Sequence, residues 1–158
     1  MLKKNIRKHT GFSLLEMMLV VVIIGLIAAI AIPRMSRGAA GAGDSALAGS
    51  LAVMRDAIDR YAAEHNGSFP TVANFVANMT TYTDASGAAQ ATKDATHIYG
   101  PYLRQVPALP VGAAKGNTTV AAAAATGVGW IYDATGGNIS ANTTSSESDV
   151  SGKLYSAY

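Results

Sequence analysis

The hydrophobic pattern of the chain changes twice along its length. After a short basic stretch, residues 12–32 are apolar on every helical face, apart from Ser13 and Glu16. At about 1.5 Å per residue, about 20 such residues cover the roughly 30 Å hydrocarbon core of a bilayer. The pattern therefore predicts a membrane-spanning helix over residues 12–33.

Two residues weaken the regularity of this predicted helix. Pro33 lacks a backbone N–H, and its ring would clash with the carbonyl of Ala29, so a kink or a locally opened turn is predicted there. Gly25 adds a second soft point upstream, because glycine has the greatest backbone freedom.

Residues 34–65 have the pattern of an amphipathic continuation of the helix. Glycines between residues 38 and 43 favour a flexible neck, after which Asp44 or Ser45 is placed to cap a fresh start. Apolar residues then recur at helical spacing and define one stripe, formed by Leu47, Leu51, Met54, Ile58 and Tyr61. Charged residues off this stripe predict two i,i+4 ion pairs, Arg55–Asp59 and Arg60–Glu64.

Residues 66–158 predict a C-terminal α+β region. Asn66-Gly67 ends the long helix by ordinary stop chemistry. Residues 72–79 predict a short second helix, and the polar, alanine-rich residues 80–97 predict a surface loop. The alanines of residues 120–125 suit a helix and the flanking threonines and glycines suit a strand, which is the prediction adopted.

A β-hairpin is predicted near the end of the chain. Residues 130–133 and 138–141 are joined by Ala-Thr-Gly-Gly, and the glycines allow the positive φ that tight turns need. Trp130 and Tyr132 share one face and are expected to pack on the helix stripe near Tyr61. The fold class is therefore α+β, with a long N-terminal helix packed on a small antiparallel β-sheet. The Ser/Thr-rich residues 142–152 suit a mobile tail that docks through Leu154 and Tyr155.

Composition narrows the classes of function. The 158 residues carry a formal charge of +2, but residues 1–11 hold four of the twelve basic residues and none of the ten acidic ones. Without that stretch the net charge is −2, which does not support nucleic-acid binding. The chain has no cysteine, so packing, hydrogen bonds or an ion must hold the domain. Its histidines, His9, His65 and His97, lack metal-ligand spacing, and no nucleophile or phosphate-loop motif indicates an enzyme.

Glu16 is the one charge between the basic stretch and Arg34. A carboxylate inside a membrane-length apolar segment costs roughly 2.5–3.5 kcal/mol on translocon scales, so it implies a partner. The sequence therefore marks Glu16 as the candidate functional residue.

Residues 10–16 read Thr-Gly-Phe-Ser-Leu-Leu-Glu, and with the basic stretch and the apolar run they resemble the class III prepilin signal of type IV pilins and type II secretion pseudopilins. The resemblance implies a leader peptide over residues 1–11, which a membrane prepilin peptidase removes between Gly11 and Phe12. It also implies methylation of Phe12, a role for Glu16 in filament assembly, and unwinding of the helix between Gly25 and Pro33 on assembly; a simple proline bend is the alternative.

Two later segments extend the resemblance to about residue 110. Tyr61 followed by Asn-Gly-Ser-Phe-Pro at residues 66–70 is similar to the helix exit of major pseudopilins. Residues 99–107 are similar to their Gly-Pro-Tyr-Leu turn. The absence of cysteine departs from the C-terminal disulfide of many type IVa pilins, which favours a pseudopilin-like subunit or a disulfide-free pilin.

The resemblance implies a non-enzymatic homo-oligomer, a helical filament built at an inner-membrane platform by an assembly ATPase. The subunit would cross the inner membrane once, with a periplasmic C-terminal domain, and form a type II secretion pseudopilus that assists protein export. The alternative is a type IV pilin of a surface fibre for adhesion, motility or DNA uptake. Two further interpretations are an ordinary secretory signal cleaved near residues 28–31, which read Ala-Ala-Ile-Ala, and a monomeric membrane-anchored binding module.

A calcium ion is the one ligand that the resemblance adds. Major pseudopilins commonly hold it in a C-terminal loop through carboxylate and carbonyl oxygens. Asp133, Glu147 and Asp149 are the carboxylates available here, although they do not align with the family site and the sequence favours ordinary solvated acids.

Overall fold

A computed structural model describes the backbone of residues 13–158, and the side chains of all of these except Pro33, Ser36 and Arg37. Helix α1 spans Leu14–Glu64, and a second short helix, α2, spans Phe75–Thr80. The chain forms two compact units, one up to Gly38 and one from Ala39 to Tyr158. The leader, Gly11 and Phe12 lie outside the described residues.

Helix α1 is continuous through the segment in which a neck was predicted. Gly38 and Gly41 are helical, so the fresh helix start at Asp44 or Ser45 is wrong, while the flexibility of the neck stays a prediction. Tertiary packing overrides the weak local propensity, because at Gly43 an added Cβ would lie only 3.2 Å from a Val111 methyl group. The helix also includes Gly25 and Pro33, and a bend or unwinding at these positions stays a prediction.

The apolar stripe of α1 forms one wall of the core, as predicted. All five stripe residues are buried, and they belong to a single hydrophobic cluster with residues of the second helix and the sheet, including Phe75, Met79, Trp130, Tyr132 and Ile139. Residues 66 and 67 have φ of 56° and 82°, and the Gly67 N–H donates to the Ala62 carbonyl at 2.8 Å, which confirms the predicted helix stop.

The ion pairs predicted on the exposed face of α1 are wrong. Arg60 pairs with Asp56 at 3.2 Å, and Glu64 accepts a hydrogen bond from the Tyr102 hydroxyl. The Arg55 guanidinium donates to the main-chain oxygens of Tyr158 and Ile139 instead of pairing with Asp59. Long side chains therefore follow tertiary partners rather than helical spacing alone.

Two small sheets complete the Ala39–Tyr158 unit. Strands β1 (Tyr82–Thr83) and β2 (Ala89–Gln90) pair antiparallel inside the region predicted as loop. Strands β4 (Val128–Asp133) and β5 (Asn138–Ala141) form the predicted hairpin, in which Trp130 faces Ala141 and Tyr132 faces Ile139. Strand β3 (Thr119–Ala121) is shorter than the predicted 120–125 and pairs with β4 in parallel. The α+β fold class is confirmed.

Residues 99–103 cross from β1 toward the core. The Gly100–Pro101 peptide is cis, and Gly100 has a φ of 70°. A Cβ on Gly100 would lie 2.8 Å from the Thr81 carbonyl oxygen, so this turn requires glycine. The N–H groups of Tyr102 and Leu103 both donate to the Met79 carbonyl, at 2.9 and 2.8 Å, which fixes two core side chains after the turn.

Candidate functional site

The start of α1 places one carboxylate at the head of the apolar segment. The Met17 N–H donates to the Ser13 carbonyl at 3.1 Å, so helical hydrogen bonding includes the turn that carries Glu16. A carboxylate in the first turn lies at the positive end of the helix dipole, where acidic side chains stabilise a helix. The Glu16 side chain is exposed.

The apolar segment covers Leu14–Ile32, which is 19 residues with a mean hydropathy of 2.9, and its most hydrophobic stretch has no buried residue. At about 1.5 Å per residue it is about 28 Å long, close to the thickness of a bilayer's hydrocarbon core. Its large apolar side chains are between 43% and 86% exposed and occur on every face of the helix. By length and composition this segment can cross a membrane, and its apolar surface is exposed.

Within residues 13–158, the Glu16 carboxylate takes part in no ion pair and accepts no hydrogen bond. The predicted cleavage site, Gly11 and Phe12, and the amine that cleavage would create lie outside the described residues. Within residues 13–158 the structure thus presents an acid in an exposed apolar surface.

A second carboxylate of α1, Asp44, was missed as a binding residue. Its side chain is buried, with 7% of its surface exposed, and it accepts hydrogen bonds from the Val150 N–H at 3.1 Å and the Tyr155 hydroxyl at 2.7 Å. These donors are more than 100 residues away along the chain, so no local signal in the sequence could have identified them.

His65 was likewise read only as a residue at a helix end. It is buried beside Tyr61, with ring centroids 3.8 Å apart, and its Nε2 lies 2.9 Å from the Asp84 carbonyl oxygen. Asn78 donates to the Tyr61 hydroxyl at 2.9 Å, and burial raises the pKa of Tyr61. This polar cluster joins the end of α1 to the β1–β2 region and is structural in its contacts.

The three carboxylates considered for calcium each accept hydrogen bonds from different groups of the chain. Asp133 accepts the Thr135 and Gly136 N–H groups of the hairpin turn, at 2.9 and 3.2 Å. Glu147 and Asp149 bind N–H groups and hydroxyls of other segments. Among residues 13–158, no group of three or more His, Cys, Asp or Glu side chains is arranged to hold a metal ion. Asp133, Glu147 and Asp149 therefore share no site of side-chain ligands within residues 13–158.

Comparison with known proteins gives a consistent set of similarities. Residues 6–32 match the family described as prokaryotic N-terminal methylation motif. Type II secretion system core protein G of Vibrio cholerae serotype O1 is 30% identical over 114 residues, which cover 69% of this chain and 70% of that protein. The protein of the same name from Aeromonas hydrophila is 26% identical over 106 residues, covering 67% of this chain and 70% of that protein. No solved structure matches the chain.

Proposed function

The chain belongs to the family of type II secretion system core protein G, the major pseudopilins, and from this membership we propose that it is cleaved after Gly11, methylated on Phe12, and polymerised through α1 into a pseudopilus that assists protein export. The proposed role is structural rather than enzymatic. The surface-fibre pilin is not favoured, because both relatives carry a type II secretion name.

The observation that carries this proposal is the position of Glu16. It lies in the first turn of an exposed 19-residue apolar helix and five residues beyond the proposed cleavage point. In a bilayer or in a filament core, such a carboxylate is stable only beside a compensating positive charge. Cleavage before Phe12 would create a suitable cation, the new N-terminal amine.

We infer that this amine pairs with the Glu16 of a neighbouring subunit when a new subunit joins the filament. The pairing neutralises two charges that are otherwise exposed to an apolar environment. Removing one partner from a buried ion pair typically costs about 3–5 kcal/mol, which is enough to select one axial position for the incoming helix. A pair between Glu16 and the amine of its own chain precedes assembly in the same scheme.

The membrane arrangement follows from the charges around the apolar segment. Lys3, Lys4, Arg7 and Lys8 precede it, and basic residues favour the cytoplasmic side of a membrane segment. The leader would therefore face the cytoplasm, where the proposed partners are the prepilin peptidase and the ATPase-driven assembly platform. The Ala39–Tyr158 unit would lie in the periplasm and then on the surface of the pseudopilus.

The experiment is to determine the N-terminus of the protein from its native membrane by mass spectrometry, with export measured in the same cells. The expected mature chain begins at Phe12 and carries one methyl group. A Gly11→Val variant should retain residues 1–11 and support neither pseudopilus formation nor export. Gly49→Val is the matched control, because a Cβ at Gly49 meets no atom within 4 Å.

Normal assembly of a chain that keeps residues 1–11 would overturn the proposal, because the cation that is proposed to pair with Glu16 would not exist. A different result would overturn only the assignment to the secretion pseudopilus. In that case the chain is cleaved correctly in wild-type cells, but a strain that lacks the chain exports proteins as well as the wild type does.

A further inference from the structure

We infer that residues 143–158 are fastened to helix α1 by a metal-free clasp, in which Asp44, Glu147 and Asp149 bind main-chain N–H groups and tyrosine hydroxyls in place of a divalent cation. These residues are called the clasp segment below. The inference concerns how this disulfide-free domain is closed and does not depend on the proposed pseudopilus.

Asp44 is the buried anchor of the clasp. Its two oxygens each accept a hydrogen bond from the clasp segment, one from the Tyr155 hydroxyl and one from the Val150 N–H. It forms no ion pair with a Lys, Arg or His of residues 13–158. A buried carboxylate without a cation is tolerated only when donors satisfy its oxygens, and here both are satisfied by the chain itself.

Asp149 organises the clasp segment from within. Its Oδ1 accepts the N–H groups of Ser151 and Lys153, both at 2.8 Å, and the Ser151 hydroxyl at 2.7 Å. Its Oδ2 accepts the Tyr158 hydroxyl at 2.6 Å. One carboxylate therefore closes the turn at Gly152, whose φ is 89°, and holds the end of the described chain.

Glu147 ties the clasp segment to the loop before strand β3. Its Oε1 accepts the Ala113 N–H at 2.6 Å, and its Oε2 accepts the Thr144 N–H at 2.7 Å. The approach depends on Gly112, since a Cβ at that position would lie 3.0 Å from Oε1. The carboxylate thus spans two segments, as a bridging cation would.

Arg55 provides a second connection between α1 and the end of the clasp segment. Its Nη1 donates to the main-chain oxygen of Tyr158 at 2.9 Å, and its Nη2 donates to the Ile139 carbonyl at 3.2 Å. Asp44 and Arg55 are eleven positions apart on α1, which is about three helical turns, so the clasp segment is held at two separate points along the helix.

Within residues 13–158 no group of three or more His, Cys, Asp or Glu side chains is placed to hold one calcium ion, and the clasp carboxylates are bound separately by the chain. Calcium takes about 6–8 oxygen ligands at about 2.3–2.6 Å, and carboxylates are its main source. All six carboxylate oxygens of Asp44, Glu147 and Asp149 already accept a hydrogen bond from the chain. Such bonds favour the ionised form, and they lower the pKa of Asp149, mainly through the Tyr158 hydroxyl, and the pKa of Glu147, mainly through the Thr144 N–H.

The test is thermal unfolding of the full mature chain in detergent micelles, with calcium and with a chelator. The wild type should give the same Tm in both. Asp44→Asn replaces one of the two accepting oxygens by an NH₂ group, which cannot accept a hydrogen bond. The change should therefore lower the Tm by about 5 °C or more with or without calcium. Asp59→Asn is the matched control on the same helix, because Asp59 is exposed and forms no hydrogen bond or ion pair within residues 13–158.

Hydrogen exchange supplies a second measurement that global unfolding cannot mimic. Tyr158→Phe removes one hydroxyl from Asp149 and should accelerate exchange in residues 143–158 while leaving the core strands protected. If Asp44→Asn does not fold, this milder variant carries the same test. A Tm of the wild type that rises by several degrees in calcium, with the rise abolished by Asp149→Asn, would show that the carboxylates are metal ligands and would overturn the inference.

Discussion

The two parts of α1 belong to one helix but have opposite relations to the rest of the chain. Leu19, before Gly38, is 56% exposed, whereas Leu51, after it, is 1% exposed. Residues 14–32 of the first part are apolar on nearly every face and belong to no core cluster of the described residues, while the second part presents one buried stripe. The apolar character of the second part is thus explained by its own chain, and that of the first part is explained by the membrane and filament contacts that we propose.

The same contrast holds for two carboxylates of the helix, Asp44 and Glu16. Asp44 is buried, and its own chain supplies two hydrogen-bond donors. Glu16 is exposed, and residues 13–158 supply none. A charge in apolar surroundings needs compensation in both cases. For Asp44 the compensation arrives with folding, and for Glu16 we expect it to arrive with assembly.

The largest expected effect is therefore on assembly, from Glu16→Gln. This change keeps the side-chain shape and removes the charge, so the amine of an incoming subunit would lose its partner. At about 3–5 kcal/mol for a broken buried pair, subunit addition should weaken about 100-fold or more. Pseudopili sheared from cells and quantified by immunoblot measure the loss, while thermal unfolding of the Ala39–Tyr158 unit should stay unchanged.

Asp59→Asn serves as the control for that substitution, because it removes a carboxylate from an exposed position of the same helix. Its pseudopilus yield should equal that of the wild type. A Glu16→Gln variant that assembles at the level of this control would contradict the proposed pairing.

The second expected effect is on stability, and two identical substitutions separate the two parts of the helix. Leu51→Ala leaves a cavity in the core and should destabilise the domain by about 2–5 kcal/mol. Leu19→Ala truncates a side chain that is 56% exposed and lies outside the core cluster, so the unfolding free energy of the domain should not change. Denaturant unfolding followed by Trp130 fluorescence compares them, and equal destabilisation by both would break the division.

Much of the fold could be predicted because its signals are local. The buried stripe of α1, the Asn66-Gly67 stop and the hairpin around Gly136 and Gly137 all depend on spacing and turn chemistry within a few residues. The fresh helix start at Asp44 was wrong for the opposite reason: packing of Gly43 against Val111 supports a helix that propensity alone disfavours.

The candidate sites divide along the same line. Glu16 stands out in the sequence because any charge in a membrane-length apolar run is unusual. The clasp could not be predicted, because Asp44 and Tyr155 are 111 positions apart in the sequence, and the neighbours of Asp44 gave it the appearance of a helix cap. Arg55 was assigned to a helical ion pair for a similar reason.

A smaller effect is expected where the domain leaves a polar group unpaired. The Tyr132 hydroxyl is buried and has no hydrogen-bond partner within residues 13–158. Tyr132→Phe should therefore stabilise the domain by about 1 kcal/mol, because an unpaired buried hydroxyl costs about 1–3 kcal/mol. Tyr61→Phe is the matched control and should destabilise it, since the Tyr61 hydroxyl accepts a bond from Asn78.

The pH dependence of the Tyr132→Phe effect provides a further check. Burial raises the pKa of Tyr132 to about 12, whereas an unfolded tyrosine titrates near 10. Between these values the unfolded chain has released this proton and the folded chain has not, so stability falls as the pH rises through this range. Tyr132→Phe should reduce the slope of unfolding free energy against pH in this range by the equivalent of about one proton. An unchanged slope would contradict the burial of this hydroxyl.

The smallest expected effect is that of the Arg60–Asp56 ion pair on the exposed face of α1. Arg60 and Asp56 lie 3.2 Å apart, and both side chains are more than half exposed, so solvent screens their attraction. Asp56→Ala should change the unfolding free energy by less than about 0.5 kcal/mol, and salt should remove most of that change. Chemical denaturation at low and high salt measures it. A loss above about 1 kcal/mol would contradict the solvent screening of this pair.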